Sequence, residues 1–93
     1  MSSIRSSIIR NLFTIFMQNV TIYSTPSCHF CHMAKELFKE KNVAYTEYDV
    51  AGNIEKRKEM IEKSGQMGVP VVIIGDELVI GFDRPKISKL LGI

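Results

Sequence analysis

No stretch of this sequence approaches the 18 or so consecutive apolar residues a membrane-spanning helix needs, so no transmembrane segment and no membrane partner are expected. Nor is there a stripe of one charge. Twelve Lys and Arg are interleaved with 10 Asp and Glu for a net charge of +2, which weighs against nucleic acid as the main partner. Cysteine is scarce: two in 93 residues, three positions apart, cannot make the framework of a disulfide-stapled secreted domain. What is present is ordinary for a folded domain, 45% hydrophobic and 24% charged, too apolar for a disordered chain. A chain this short forms one domain and buries only about 60 to 65% of its unfolded surface, which leaves room for one sheet and a few helices.

Residues 1–16, MSSIRSSIIRNLFTIF, differ from the rest in being rich in Ser, carrying Arg5 and Arg10 and containing no acid. Such a segment fits a targeting peptide, which is amphipathic, Arg- and Ser-rich and acid-poor. The plainer readings are a peripheral extension or an upstream start codon, with Met17 the natural first residue. A secretory signal fits poorly, because Arg10 and Asn11 interrupt the apolar run. The domain proper is therefore expected over residues 17–93.

From residue 19 the pattern alternates between element types. Val20–Tyr23 reads as a strand ended by Ser24-Thr25-Pro26-Ser27. Phe30, Ala34, Leu37, Phe38 and Lys41 recur at helical spacing, with Lys35, Glu36, Lys39 and Glu40 on the opposite, solvated face. Val43–Val50 alternates as a second strand. Asn53 then caps a helix running to about Ser64, with Ile54 and Ile61 one heptad apart and Gly65 closing it. Val69–Ile74 is a continuous apolar run suited to a strand covered on both faces, and Gly75-Asp76 turns it into Glu77–Ile80. Asp83 reads as the cap of a last helix, with Pro85 in its first turn and Gly92 past its end. The expected class is α/β, in the order β-α-β-α-β-β-α, with helices on both faces of a four-stranded mixed sheet.

Cys28-His29-Phe30-Cys31 lies where the first strand gives way to the first helix. One helical turn brings Cys31 back beside Cys28, so a disulfide between them is geometrically easy. Cys28 falls at the helix N-terminus, whose unpaired N–H groups and macrodipole favour a negative sulfur, and is read as the attacking thiolate. Cys31, one turn inside, suits the resolving role. His29, adjacent and exposed, is the better of the two histidines to assist the thiolate; both also read as solvated helix positions. Cys28 to His32 satisfies the CxxCH pattern of haem attachment as well, but strand-forming flanks and the lack of a good export signal weigh against haem. A zinc site would lack ligands from a separate part of the chain, and no metal ligand is assigned. A redox-active thiol pair fits a reducing compartment and hence a cytoplasmic location.

Three motifs together carry a family resemblance: Val20 to Cys31, then Gly68-Val69-Pro70, then Gly81-Phe82-Asp83-Arg84-Pro85. Over residues 17–93 the chain resembles a glutaredoxin-like protein of the thioredoxin superfamily. The resemblance implies a thioredoxin-like fold, a thiol–disulfide oxidoreductase, a cis peptide bond before Pro70 beside the dithiol, and a Val69 backbone that pairs with substrate. It implies substrate contacts at Thr25, Gln66, Val69, Pro70, Gly81, Phe82 and Asp83, with Tyr23 and Phe82 read as residues that could line the groove. Thr25 and Met67 stand where such proteins usually carry basic residues, and Phe82 replaces one glycine of a pair. A tripeptide with two carboxylates wants charge-assisted partners, so glutathione is one candidate co-substrate. The Gly-Phe-x-Arg-Pro sequence is similar to that of glutaredoxin-like donors to ribonucleotide reductase, which implies a thioredoxin-reductase-type reductase as the other electron source. Disulfide-bearing proteins are the expected substrates, no bound cofactor is expected, and a monomer is expected. The competing class is an iron–sulfur cluster carrier, a homodimer bridged through Cys28, because His29 rather than proline follows the first cysteine.

Overall fold

The computed structural model describes residues 19–93, so the expectations for residues 1–16 and the boundary at Met17 lie outside the described residues. Seven elements follow in the expected order: β1 (Val20–Ser24), α1 (His29–Glu40), β2 (Thr46–Asp49), α2 (Ile54–Ser64), β3 (Val71–Ile74), β4 (Glu77–Ile80) and α3 (Arg84–Leu91). The four strands form one mixed sheet in the order β2-β1-β3-β4. β1 runs parallel to β2 and antiparallel to β3, and β3 and β4 form an antiparallel hairpin.

Strand side chains alternate between two faces, and each face meets different helices. Val20 and Ile22 of β1, Val72 and Ile74 of β3 and Val79 of β4 share one face, covered by Ala34, Leu37 and Phe38 of α1 and Ile87 and Leu91 of α3. Tyr23 and Val71 point the other way, into a smaller cluster with Met60 of α2 and Val50. This two-sided cover explains why β3 reads as an unbroken apolar run.

Chain ends of the helices follow local rules. Asn53 accepts the amide of Lys56 through its side chain (3.0 Å), and Asp83 does the same for Lys86 (3.2 Å), each satisfying an N–H the helix cannot. Gly65 ends α2 at φ 72°, a left-handed conformation that favours glycine. Gly75, at φ 61°, opens the two-residue β3–β4 turn.

Several details depart from the sequence reading. β2 is Thr46–Asp49 rather than Val43–Val50. Its ladder with β1 begins at Thr21↔Thr46, while the Val43 amide is still taken by the Phe38 carbonyl (2.7 Å) in the turn that closes α1. Val43 and Tyr45 contribute side chains to the core without strand pairing, Tyr45 lying 5.3 Å from the Phe38 ring. β3 starts at Val71 rather than Val69 because its last pair with β1 is Tyr23↔Val71, and Pro70 has no N–H to extend the ladder. On α1, Phe30 is 56% exposed and Lys41 is also exposed, whereas Cys31 is fully buried and heads the inward face instead. On α2 the inward residue is Met60; Ile54 is exposed and Ile61 only half-buried. The heptad pair therefore does not mark the buried face, which centres on Met60, with Ile61 at its border.

Candidate active site

The topology gathers the expected site at one end of the sheet. Because β3 is antiparallel to both neighbours, its start lies beside the ends of β1 and β4. Thr25 to Cys28 therefore follow β1, Val69-Pro70 precede β3, and Gly81 to Asp83 follow β4, all at the same end. The Val69-Pro70 bond is cis, and the Gly81 amide donates to the Pro70 carbonyl (2.8 Å), tying two of the three loops together.

Cys28 is the N-cap of α1. The Cys31 amide donates to Cys28 Sγ at 3.1 Å, so a helix N–H that would otherwise lack a partner is aimed at the sulfur. The Cys28 amide is in turn held by the Thr25 carbonyl (3.3 Å). Both cysteines are free thiols, Cys28 half-buried and Cys31 buried. Burial pushes the Cys31 thiol well above its ordinary range and the hydrogen bond with Cys28 adds to this, while backbone hydrogen bonding by Thr25 and the nearby Lys35 cation pull the other way. The two sulfurs thus differ in setting: Cys28 is half-buried with an amide pointed at it, and Cys31 waits protonated inside.

The remaining expected residues surround this pair to different degrees. Thr25 and Val69 are half-buried and Pro70 is buried. Gln66 sits in the same loop as Val69, and its side-chain amide is closed on Gly68, donating to the Gly68 carbonyl (3.0 Å) and accepting its amide (2.7 Å). Gly81 is half-buried, Phe82 packs against the larger core cluster, and Asp83 caps α3. His32 donates from Nε2 to the Pro26 carbonyl (2.9 Å). His29 is exposed, its ring 5.6 Å from that of Phe30. Tyr23 does not line the groove: it has no exposed surface, and its hydroxyl donates to Glu59 on the α2 side of the sheet. Its period in β1 sends it to the face away from α1.

A second polar group joins the end of β1, β2 and α1 one helical turn beyond Cys31, and the sequence reading missed it. Ser24, buried at the end of β1, donates to Glu47 Oε2 (2.7 Å), and Lys35 Nζ reaches the same oxygen at 2.7 Å. Ile22↔Glu47 register puts Glu47 on the face that α1 covers. Lys35, placed on a solvated helix face by periodicity, is instead folded inward, its side chain 16% exposed. The available signal was its i+4 spacing from Cys31. The Lys35 ammonium and Ser24 hydroxyl hold the Glu47 carboxyl below the usual carboxylate range, and Glu47 in turn raises Lys35. The unfolded chain, with ordinary carboxylates near 4.3, takes up protons first as the pH falls. Glu47 therefore adds stability above that value that disappears as the pH drops through its lower folded pKa. Lys35 adds stability below about 10.4 that disappears as the pH rises through its raised folded pKa. Glu47→Gln should flatten the acid limb of a plot of urea midpoint against pH between about pH 5 and 3; an unchanged slope would show that the pair contributes nothing.

Comparison with known proteins decides the lineage. A family model described as Glutaredoxin matches residues 20–79. The chain belongs to the glutaredoxin family. Relatives of this glutaredoxin-family chain include an uncharacterized glutaredoxin-like 8.6 kDa protein encoded in the rubredoxin operon of Clostridium pasteurianum, 40% identical over 77% of this chain and 96% of that protein. Glutaredoxin 3 of Escherichia coli K12 is 42% identical over 72% of this chain and 81% of its own length. Among solved structures, a thioredoxin-like protein superposes with a TM-score of 0.77 at 35% identity, covering 83% of this chain and 99% of that one. The glutaredoxin of Archaeoglobus fulgidus superposes at 0.73 with 25% identity, covering 81% and 87%. The four-stranded sheet with three helices is thus the thioredoxin-like fold, and family membership supports a thiol–disulfide oxidoreductase role.

Proposed function

We propose that this chain reduces disulfides in proteins, or mixed disulfides with glutathione, by a dithiol mechanism with Cys28 as nucleophile and Cys31 as resolving thiol. The observation that carries the reading is the asymmetry of the pair: Cys28 is half-buried at the N-cap with an amide directed at its sulfur, and Cys31 is buried behind it. In the first step Cys28 thiolate attacks one sulfur of the substrate disulfide. A Cys28–substrate disulfide forms, the substrate S–S bond breaks, and the departing thiolate takes a proton from water. In the second step Cys31 loses its proton and attacks Cys28 Sγ, forming the Cys28–Cys31 disulfide and releasing the second substrate thiol. Two electrons have passed from the dithiol to the substrate.

Regeneration needs an external dithiol or thiol. Glutathione would act as a co-substrate rather than a bound cofactor, and a thioredoxin-reductase-type enzyme is the other source. The residues expected around a bound tripeptide, Thr25, Gln66, Val69, Pro70, Gly81, Phe82 and Asp83, include no cation, and the Gln66 amide is already engaged by Gly68. These features favour the reductase, with Val69 and Pro70 positioning an extended protein substrate and a monomer working in the cytoplasm.

The deciding experiment offers the oxidised protein either glutathione or a thioredoxin-reductase system and measures the rate at which the dithiol returns. Faster reduction by the reductase is the expected result. Reduction by neither, together with a visible absorption band and stoichiometric iron in anaerobically purified protein, would replace the catalytic reading with the cluster carrier.

A further inference from the structure

The Lys35–Glu47–Ser24 group is built from three elements, runs from buried Ser24 through half-buried Lys35 to exposed Glu47, and takes no part in the two-step mechanism above. Ser24 ends β1, Glu47 projects from β2 onto the α1 face, and Lys35 lies one helical turn beyond Cys31. Residues at i and i+4 of a helix stand on one side with Cβ atoms about 5 to 6 Å apart. Cys31 points into the core, and Lys35, on the same side of α1, is tethered to Glu47 rather than swinging in solvent.

We propose that Lys35, fixed by Glu47 and Ser24, is the positioning residue for the resolving step: its cation stabilises the negative charge that Cys31 Sγ must carry while it attacks Cys28. The inference rests on the reading of Cys31 as the resolving thiol. A buried thiol that has to ionise needs a compensating charge, because desolvation disfavours the thiolate. The titratable and charged groups acting on it are Cys28 and Lys35; Glu47 acts on Lys35, with Tyr45, just before β2, acting on Lys35 and Lys39 of α1 acting on Glu47. Lys35 is the cation among them that acts on Cys31 itself. Glu47 has two roles, anchoring the ammonium and keeping it protonated through the working pH range. Lys35 does not act as a base; the Cys31 proton leaves to water, and the departing substrate thiolate takes one up.

A chromogenic aromatic disulfide tests this in one trace. The reduced protein should release one coloured thiolate when Cys28 attacks, at a rate proportional to reagent concentration, and a second when Cys31 resolves, at a rate independent of it. Lys35→Met should slow the second phase about three- to tenfold at neutral pH and move its pH profile upward, since a rise of one pKa unit cuts the thiolate fraction about tenfold while nucleophilicity recovers part of it. The first phase should hold within about twofold. Lys35→Arg should restore the second phase, and Lys35→Gln should match Lys35→Met. An unchanged second phase in Lys35→Met overturns the proposal, as does equal slowing of both phases or equal slowing by Met and Arg, which would mark a structural role. A concentration-independent second phase missing from the unmodified protein would instead refute the resolving role of Cys31, so the two failures are distinguishable.

Discussion

Cys28→Ser should abolish disulfide turnover, a loss on the order of 10³-fold or more, the scale on which removal of a catalytic nucleophile acts. A serine hydroxyl at the same N-cap would still accept the Cys31 amide, so α1 should keep its cap and the protein its fold. Only the chemistry disappears, because a hydroxyl without an adjacent general base does not ionise near neutral pH. Cys31→Ser should behave differently. With Cys28 intact the first attack proceeds, and the product remains as a mixed disulfide that mass spectrometry detects as a protein–substrate adduct. Turnover of protein disulfides stops at that adduct unless an external thiol removes it. Should Cys31→Ser block the first attack while Cys28→Ser leaves it intact, the roles of the two sulfurs would be reversed.

The largest stability effect should come from Phe38. It has no exposed surface and lies between α1 and the sheet, its ring 5.3 Å from Tyr45 and in the same cluster as Ile22, Leu37 and Ile74. Phe38→Ala removes most of a ring from the larger core cluster and leaves a cavity that close-packed neighbours only partly refill, at a cost of about 3 to 5 kcal/mol. In a domain this small each kcal/mol lowers the melting temperature by about 4 to 8 °C, so a fall of roughly 12 °C or more is expected. Calorimetry or thermal circular dichroism measures it. A change under about 1 kcal/mol would mean that the sheet and α1 can close over the gap, contrary to the packing described. The same substitution on the other face, at Met60, should cost less, because the α2 cluster is smaller.

Elements with strong local signals were legible in the sequence. The apolar run of β3, the caps Asn53 and Asp83, the glycine stops at Gly65 and Gly92, and the Gly75-Asp76 turn all depend on a few adjacent residues and were read correctly. The dithiol was legible for the same reason, while the cis bond before Pro70 was implied by the family resemblance rather than by its neighbours in sequence. Errors fell where partners are distant in sequence. β2 was read three residues too early because Val43 and Tyr45 alternate like strand residues yet have no neighbour to pair with. Phe30 was read as core because its spacing fits a helix face, while the true inward position is Cys31, a residue chosen for its sulfur that also packs as a small hydrophobe.

Sequence alone therefore determined the order of elements, the place of Cys28 at a helix start, and the pairing of thiols one turn apart, all of which follow from local backbone geometry. Tertiary structure decided which side chains share an environment. Register between β1 and β2 turns Glu47 toward α1, where it meets Ser24 and draws Lys35 inward beside the buried thiol. Antiparallel pairing of β3 with both neighbours brings Pro70 and Gly81 to the end of the sheet where Cys28 lies. Those juxtapositions depend on strand register and on which face a helix covers, and both are settled only when the whole core packs.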